Sequence, residues 1–579
     1  MTWRYCSKPS LTFSSQKLSQ GTNACNLFPS HLLFMWRGEV LTTEIPRFWQ
    51  SFPHQSPWNM FSWSLLPALT LAVSFKQCLA GDSRTNDGDR DWHLSHPSEQ
   101  LHHCHSIERE LSPRLSPDAA IILPGNASFD SFEVRASSPR IEPSFSAVVE
   151  VSTEEDVQHT VRYANRCGTS FLVVGGAHGW QSTLNNANGG IQISMRRMQQ
   201  VELKANNGSV VHVGGGVTQR HLTQTLYQLG KQAVTGLCEC TSVIGPLMGG
   251  GHSALQGFHG FSSDNILSAR VVLADGEVVT TSASEHPDLF WALRGAGHNF
   301  GIVTSFEVKG YDVPEQEWTI VSLVYTEDKL EAFIDALNDV NNGGDHPAEL
   351  VLAGSITRLA AFDTENPVVA YQLSYLGTPD GVEPYLARFR QAGPVSVSTA
   401  EKVAYKDYYI ATQNGYNQTT CQKDKNISGY AISLNEYNRT AMRTAFNDFS
   451  KLTADDRYNT SVWLLESYGS RGVWAQDYSA SAVPAAERDI PNLTVPITWW
   501  AGDDPEAREK AEFYGKLMRS SLAEGAGETF NSSHIYVNYA MGDEELGQMY
   551  GDEERIARLQ GLKERYDPMN RFGFYMPLI

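Results

Sequence analysis

Basic residues are scarce in this sequence: 45 Lys and Arg stand against 65 Asp and Glu, giving a formal net charge of −20 and a pI near 5.3. A nucleic-acid surface needs clustered cations to replace the counterions of phosphates, so no nucleic-acid partner is expected. Low-complexity tracts and internal repeats are also missing, and the composition is globular at 41% hydrophobic and 19% charged. Single cores rarely grow past about 250 to 300 residues, so 579 residues imply more than one domain. Metal-ligand spacing is absent as well. "LHHCHS", residues 101–106, gathers His and Cys, but adjacent residues on an irregular segment point in different directions, unlike the regular ligand spacing of a zinc site. No metal is expected, and Cys104 reads as half of a disulfide, with Cys167 a candidate partner.

No apolar run is long enough to span a bilayer, which takes about 20 residues, so no membrane association is expected. Leu65–Phe75 is shorter and suits the core of a signal peptide, with Cys78 and Ala80 as the small residues before cleavage. No Lys or Arg separates Met60 from that run. Residues 1–59 lack helical or strand periodicity and are expected to be a non-domain extension upstream of a start at Met60. The expectation is a signal peptide at 60–80 and a secreted, extracellular glycoprotein. Asn126, Asn207, Asn417, Asn426, Asn438, Asn459, Asn492 and Asn531 each open an Asn-x-Ser/Thr sequon, so N-glycans are expected at some of them. Cysteine is sparse. Beyond Ala80 only Cys104, Cys167, Cys238, Cys240 and Cys421 remain, an odd number that leaves at least one thiol without an intramolecular partner.

From Pro143 the pattern alternates. "SAVVEVS" reads as a strand and "TEEDVQHTVRYANRCG" as a helix capped by Ser152 or Thr153 and closed by Gly168. "TSFLVVGG", "GIQISM" and "SVVHVGGG" read as strands, "TQRHLTQTLYQLGK" and "PDLFWALRGAG" as helices, and "ILSARVVLADGEVVTTS" as a hairpin turned by Asp275 and Gly276. Further on, "EWTIVSLVYT", "PVVAYQLSYLG", "GYAISLN", "SVWLLESYG" and "NLTVPITWWAG" are strands separated by helices such as "TAMRTAFNDFSKL" and one opened by Asp504 and Pro505. The fold class is α+β. An N-terminal segment at 81–139 leads into a first domain at 140–312, a second domain at 313–530 holds an antiparallel sheet backed by helices, and a C-terminal segment at 531–579 is expected to pack on the first domain.

The strongest local signal is glycine: "VVGGAHG", "VGGG" and "GPLMGGGHS" each gather residues without Cβ, so backbone N–H groups can approach a nucleotide-type cofactor closely. Neither GxxxxGK[ST] nor a strand-to-helix GxGxxG is present, which excludes a P-loop and an ordinary Rossmann site. His178, at the end of the first of these turns, would alone pass for an ordinary turn histidine.

The ordered set "GGAHG", "VHVGGG", "TGLCECTSVIGPLMGGGHSALQGFHGFSSDNILSARVVLADGEVV", "HPDLFWALRGAGHNFGIVTSFE", "YVNY" and "RLQGLKERYDPMNRF" resembles the berberine bridge enzyme-like branch of the vanillyl-alcohol oxidase superfamily, in its fungal form, from about residue 110 to 579. The resemblance implies a PCMH-type FAD-binding domain over 140–312 and FAD as cofactor. It implies FAD contacts from Val174, Gly175, Gly176, Ala177, His178, Gly179, Gly245, Gly249, Gly250, Gly251 and Ile302. His178 stands where the family joins a histidine to the flavin 8α methyl, and Cys238, thirteen residues before Gly251, where bicovalent members add a cysteinyl link. Thr241 and Ser242 depart from the usual Val-Gly, and Cys240 competes with Cys238; a Cys238–Cys240 disulfide would be strained. Tyr539 matches the tyrosine that serves as general base, and Asn538 would orient it or contact the flavin edge. A phenol, with an ordinary pKa of about 10, needs a nearby cation or hydrogen-bond donors for that task. The plant branch places a catalytic glutamate on the strand matching "NLTVPITWWAG", and this chain has no carboxylate there. Trp499, Trp500 and Glu466 are candidates for the substrate face.

The resemblance therefore implies a monomeric FAD-dependent oxidase that takes a hydride from an alcohol or similar group of a small organic substrate, with O2 as acceptor, in fungal secondary-metabolite tailoring. The alternatives are a secreted carbohydrate oxidase and, in another class, a flavin-carrying binding protein with little turnover.

Overall fold

The computed structural model describes Cys104 and residues 106–579 apart from 138, 139, 205, 206, 424 and 503. The expected extension 1–59 and signal peptide 60–80 lie outside the described residues. All described residues belong to one compact unit, His96–Ile579.

Three sheets position the site. The first holds β1 (Ala120–Ile122), β2 (Phe145–Glu150), β3 (Phe171–Val174) and β4 (Gly190–Ser194) in the order β1-β2-β4-β3, with β4 parallel to both β2 and β3. Between β2 and β3 runs α1 (Glu154–Arg166), opened by Thr153 and Asp156 in a reciprocal capping box. Gly168, at φ 62°, then takes the left-handed conformation that ends a helix cheaply only in glycine. Val157, Val161 and Ala164 recur at helical spacing and bury themselves against Phe171, Ile191 and Ile193 of the sheet.

The second sheet is antiparallel: β5 (Val201–Lys204), β6 (Val210–Gly214), β7 (Ile266–Val272), β8 (Val278–Ser282) and β9 (Ile302–Lys309), in the order β5-β6-β9-β7-β8. The hairpin of β7 and β8 turns at Gly276, φ 83°, as its Asp-Gly pair requires.

The third sheet has eight strands, β10 (Trp318–Tyr325), β11 (Leu350–Thr357), β12 (Val368–Leu376), β13 (Ser396–Val403), β14 (Asn426–Gly429), β15 (Ile432–Leu434), β16 (Val462–Tyr468) and β17 (Asn492–Trp500). Their order is β13-β10-β12-β11-β16-β17-β14, with β15 also on β17, and every pair is antiparallel. Strand alternation sends Val321, Leu352, Leu373, Trp463 and Leu465 to one face, in a core shared with Phe333, Phe389, Phe446 and Met518 of the helices Leu330–Asn341, Pro379–Gln391, Arg439–Thr453 and Pro505–Gly525. The opposite face, carrying Val324, Ala353, Ala370, Leu464 and Glu466, is left for the site.

β11, β13 and β14 carry no clear strand signal in the sequence. β13 is an edge strand exposed along most of its length, so it has no apolar face to alternate. β11 loses its apolar run at Gly354 and Ser355, and β14 is four residues long. The C-terminal segment is bonded to the 140–312 region: Lys563 Nζ donates to Asn299 O (2.9 Å), Arg571 Nη2 to Thr169 O (2.6 Å) and Thr183 Oγ1 to Phe574 O (2.9 Å).

Candidate functional site

A cavity of about 1000 Å³ lies between the first two sheets and the free face of the third. The loop leaving β3 enters it at once. A Cβ on Gly176 would stand 2.9 Å from Ser242 N and 3.1 Å from Cys240 O, and one on Gly175 would stand 2.9 Å from Ser242 Cβ. The two glycines therefore let the loop lie directly on the Cys238–Ser242 segment, which is what brings His178 and Cys238 to the same cavity. Ala177 takes a left-handed φ of 60°, and its carbonyl accepts from Ala136 N at 3.0 Å, which holds the bend. His178 lines the cavity with a buried Nε2 that has no hydrogen-bond partner. Burial, reinforced by the charges of Lys423 and Arg135, pushes its imidazolium down to about 3, so the ring is neutral at physiological pH.

The cysteines sort themselves out in space. Cys104 pairs with Cys167, and Cys240 pairs with Cys421, not with Cys238. Cys238 is the free thiol among the described residues, so Cys240 no longer competes for its place. Cys238 Sγ lies 4.0 Å from Asn414 Oδ1, and burial together with the Glu466 charge pushes the thiol up to about 12. Thr241 closes the turn by donating from Oγ1 to Cys238 O at 3.0 Å.

Across the cavity, Tyr539 Oη donates to Glu466 Oε2 at 3.0 Å. Glu466 is buried and Tyr539 partly buried. Burial raises Glu466 above the ordinary carboxylate range, although the bond from Tyr539 and the nearby His252 pull the other way. Burial and the Glu466 and Cys238 charges hold Tyr539 well above the ordinary phenol value. The carboxylate is thus the ionised member and the phenol the proton holder. The strand matched to the plant glutamate, β17, does lack a carboxylate, and the acid arrives from its neighbour β16, where Glu466 is paired with Leu493. Asn538 Nδ2 donates to Pro246 O (2.7 Å) and Tyr536 Oη (2.5 Å), tying the Tyr539 segment to the glycine-rich loop.

Behind this pair stands a network that sequence reading did not identify. Glu487 bridges His252 Nε2 and His534 Nε2, each at 2.6 Å. Burial opposes ionisation of Glu487, but the bonds from His252 and His534 outweigh it and hold the carboxyl below its ordinary value. Ser253 N donates to Gln256 Oε1, and His252 Nδ1 lies 2.9 Å from the same oxygen. The His252 ring stacks on Tyr468 at 5.3 Å and meets Tyr536 edge-on at 4.8 Å, and Tyr536 in turn meets Tyr539 at 5.2 Å. Its only sequence signal was its place in "GGGHS".

Of the residues singled out above, Val174, Gly175, Gly176, Ala177, His178, Gly179, Cys238, Gly245, Ile302, Asn538 and Tyr539 all line the cavity, as do Glu466 and Trp499. Gly249, Gly250 and Gly251 are not among the lining residues. Gly249 leaves room for the Asn538 side chain, and Gly250 and Gly251 take φ of 115° and 86° to make the turn. Trp500 does not reach the cavity either. Its neighbour Trp499 does, so alternation turns Trp500 into the core beside Leu452, Tyr458 and Ala511. Two of the sequon asparagines are buried: Asn426 is bonded to Arg140 N, and Asn492 to Asn341, Ser467 and Leu434.

A family model described as "FAD binding domain" matches residues 145–282, and one described as "Berberine and berberine like" matches residues 535–576. The chain is 36% identical to the FAD-linked oxidoreductase chyH of Penicillium rubens, over 81% of this chain and 93% of that one. Among solved structures it is similar to 6-hydroxy-D-nicotine oxidase from Arthrobacter nicotinovorans, with a TM-score of 0.66, 22% identity and coverage of 80% of this chain and 98% of that one. It is also similar to the xylooligosaccharide oxidase from Myceliophthora thermophila C1 in complex with xylobiose, with a TM-score of 0.67, 22% identity and coverage of 82% and 99%.

Proposed function

This chain belongs to the berberine bridge enzyme-like family of FAD-linked oxidoreductases, and from that premise we propose that it oxidises an alcohol or similar group of a small organic molecule, as a tailoring enzyme of fungal secondary metabolism, with O2 as terminal acceptor. The observation that carries this reading is the Tyr539–Glu466 bond of 3.0 Å in the cavity that His178 also lines. The residues present fit FAD. A buried imidazole nitrogen without a partner, a glycine turn closely applied to a second loop and a cavity of about 1000 Å³ suit a large, tethered cofactor. When bound, FAD supplies the acceptor for a hydride and the site at which O2 is reduced to hydrogen peroxide.

The chain's own residues supply binding and proton transfer. Val174–Gly179 and Ile302 would hold the cofactor, with His178, neutral and therefore nucleophilic, as its covalent anchor. Cys238 is the candidate for a second link. The reacting hydroxyl would donate to Tyr539 Oη while Tyr539 passes its own proton to Glu466 Oε2, so the substrate loses H⁺ and H⁻ together and Glu466 ends protonated. No cation has to sit beside the phenol in such a relay, because a carboxylate receives the proton directly. Asn538 and the His252–Glu487–His534 network would keep the pair in place.

Two disulfides suit an oxidising compartment, and six sequon asparagines, Asn126, Asn207, Asn417, Asn438, Asn459 and Asn531, are exposed, both of which support secretion. Among the described residues no helix is long and apolar enough to cross a membrane. A carbohydrate oxidase is the second reading, favoured by Trp180 and Trp499 in the cavity wall, since aromatic rings stack on sugars. Acid precipitation of the purified protein tests the cofactor assignment, with yellow colour expected to stay in the pellet. Peroxide release with candidate alcohols under air tests the reaction. Retained flavin that no substrate bleaches would favour a binding protein.

A further inference from the structure

The free face of the third sheet divides sharply by row. One row carries Glu466, Ala353, Gln372 and Ser322 in register. The next carries Leu464, Ser355, Ala370 and Val324, and beyond it Val462 pairs with Ile497. All of these line the cavity. The Ser355 hydroxyl is the one polar side-chain group of that next row, and Ala353, Ser355 and Ala370 form a shallow floor between larger apolar walls. The amide of Gln372 is already bonded to Ser322 Oγ (3.0 Å) and Ala411 O (3.3 Å). At the rim, Asn414 Nδ2 donates to Thr412 O, and Gln418 donates to Ile410 O and accepts from Gly415 N. A sugar ring on this floor would bury hydroxyls against Leu464, Val462 and Val324 without partners, which is unfavourable.

Trp499 and Lys425 line the far end. Trp499 is 6% exposed and lines the cavity, its indole Nε1 has no hydrogen-bond partner, and the Lys425 ammonium lies 4.8 Å above its ring. A buried indole N–H ordinarily finds an acceptor. Trp499 N is bonded to Ser461 Oγ, which places Trp499 level with Ser461, five residues along β16 from Glu466 and roughly 17 Å away at about 3.3 Å per residue.

Resting on the oxidase reading above, we propose that the substrate is an apolar molecule with its reacting hydroxyl at Glu466 and Tyr539 and a hydrogen-bond-accepting oxygen at Trp499, lying along β16. Oligosaccharides are disfavoured. The test uses the flavin-loaded protein without oxygen, following the visible flavin spectrum while titrating methyl 10-hydroxydecanoate, 1-decanol or xylobiose. The ester binds about tenfold more tightly than 1-decanol, as one added hydrogen bond to a buried donor implies, and xylobiose binds at least about 100-fold more weakly than the ester. Trp499→Phe keeps an aromatic ring, removes the N–H and abolishes the preference for the ester over 1-decanol. Leu464→Asn weakens the ester and 1-decanol alike. Tighter binding of xylobiose, or an ester preference that survives Trp499→Phe, overturns the inference. Ester binding without peroxide under air fails the oxidase reading and leaves the substrate class standing; peroxide from xylobiose with no response to the ester does the reverse.

Discussion

His178 and Cys238 face one cavity from two loops that touch, and burial acts on both in the same way, by favouring the neutral form. The chemical consequences are opposite. A neutral imidazole keeps its lone pair and is a nucleophile; a neutral thiol has lost the charge that would make it one. Glu466 widens the gap, since its carboxylate pushes the thiol further up. A single low-dielectric pocket thus arms one candidate tether and disarms the other.

The hardest blow to this contrast is His178→Ala. All flavin bound by that variant is expected to pass into the supernatant on acid precipitation, whereas Cys238→Ser keeps its colour in the pellet. Colour retained by His178→Ala would reverse the ranking of the two side chains. Next in size is Glu466→Gln, which removes the proton acceptor and is expected to lower kcat by about 10²- to 10⁴-fold, measured as peroxide release. It also sharpens the contrast, because Cys238 loses the charge that suppresses it and should react faster with iodoacetamide. The pH profile has a definite sign. Glu466 must be ionised to receive a proton, and its pKa lies above the ordinary carboxylate value of 4.5. The wild-type kcat/KM is therefore low in acid and rises through that elevated pKa to a plateau, and Glu466→Gln should lack this limb.

Sequence legibility divided along similar lines. The His178 turn, the capped helix α1 and the Asp275–Gly276 hairpin were readable because each depends on neighbours in the chain. The cavity floor was not, because Ala353, Ser355 and Ala370 are small where an amphipathic strand would show apolar side chains. Nor was the Tyr539–Glu466 pair, whose members are 73 residues apart, Glu466 on β16 and Tyr539 in the C-terminal segment. The Cys240–Cys421 link spans 181 residues, and an odd cysteine count says that a thiol is left over without saying which. The glycines at 249–251 looked equal to those at 175 and 176, and only packing separates a turn behind Asn538 from a turn in the cavity wall.

Gly176→Ala tests whether the two tether loops depend on one another. The added Cβ would meet the Ser242 and Cys240 backbones at 2.9 and 3.1 Å, where no side chain can swing aside. The loops must separate, at a cost of about 1 to 3 kcal/mol in thermal or denaturant unfolding, with less flavin retained. If Gly176→Ala keeps full stability and flavin, the contact between the loops is not what holds His178 in place.

The smallest effect belongs to Cys238→Ser. If the thiol stays protonated and carries no tether, peroxide release should be nearly unchanged and stability should fall by only about 1 kcal/mol, the cost of placing a hydroxyl where a buried thiol stood. Alkylation of the wild type gives the complementary reading. Reaction with iodoacetamide should be slow at pH 8 and accelerate with rising pH, since the thiolate population grows only towards a pKa of about 12. Fast alkylation at pH 8 would show that the cavity stabilises a thiolate after all. A loss of pelleted flavin in Cys238→Ser would go further, showing that the thiol anchors the cofactor and that burial alone does not decide which of the two side chains reacts.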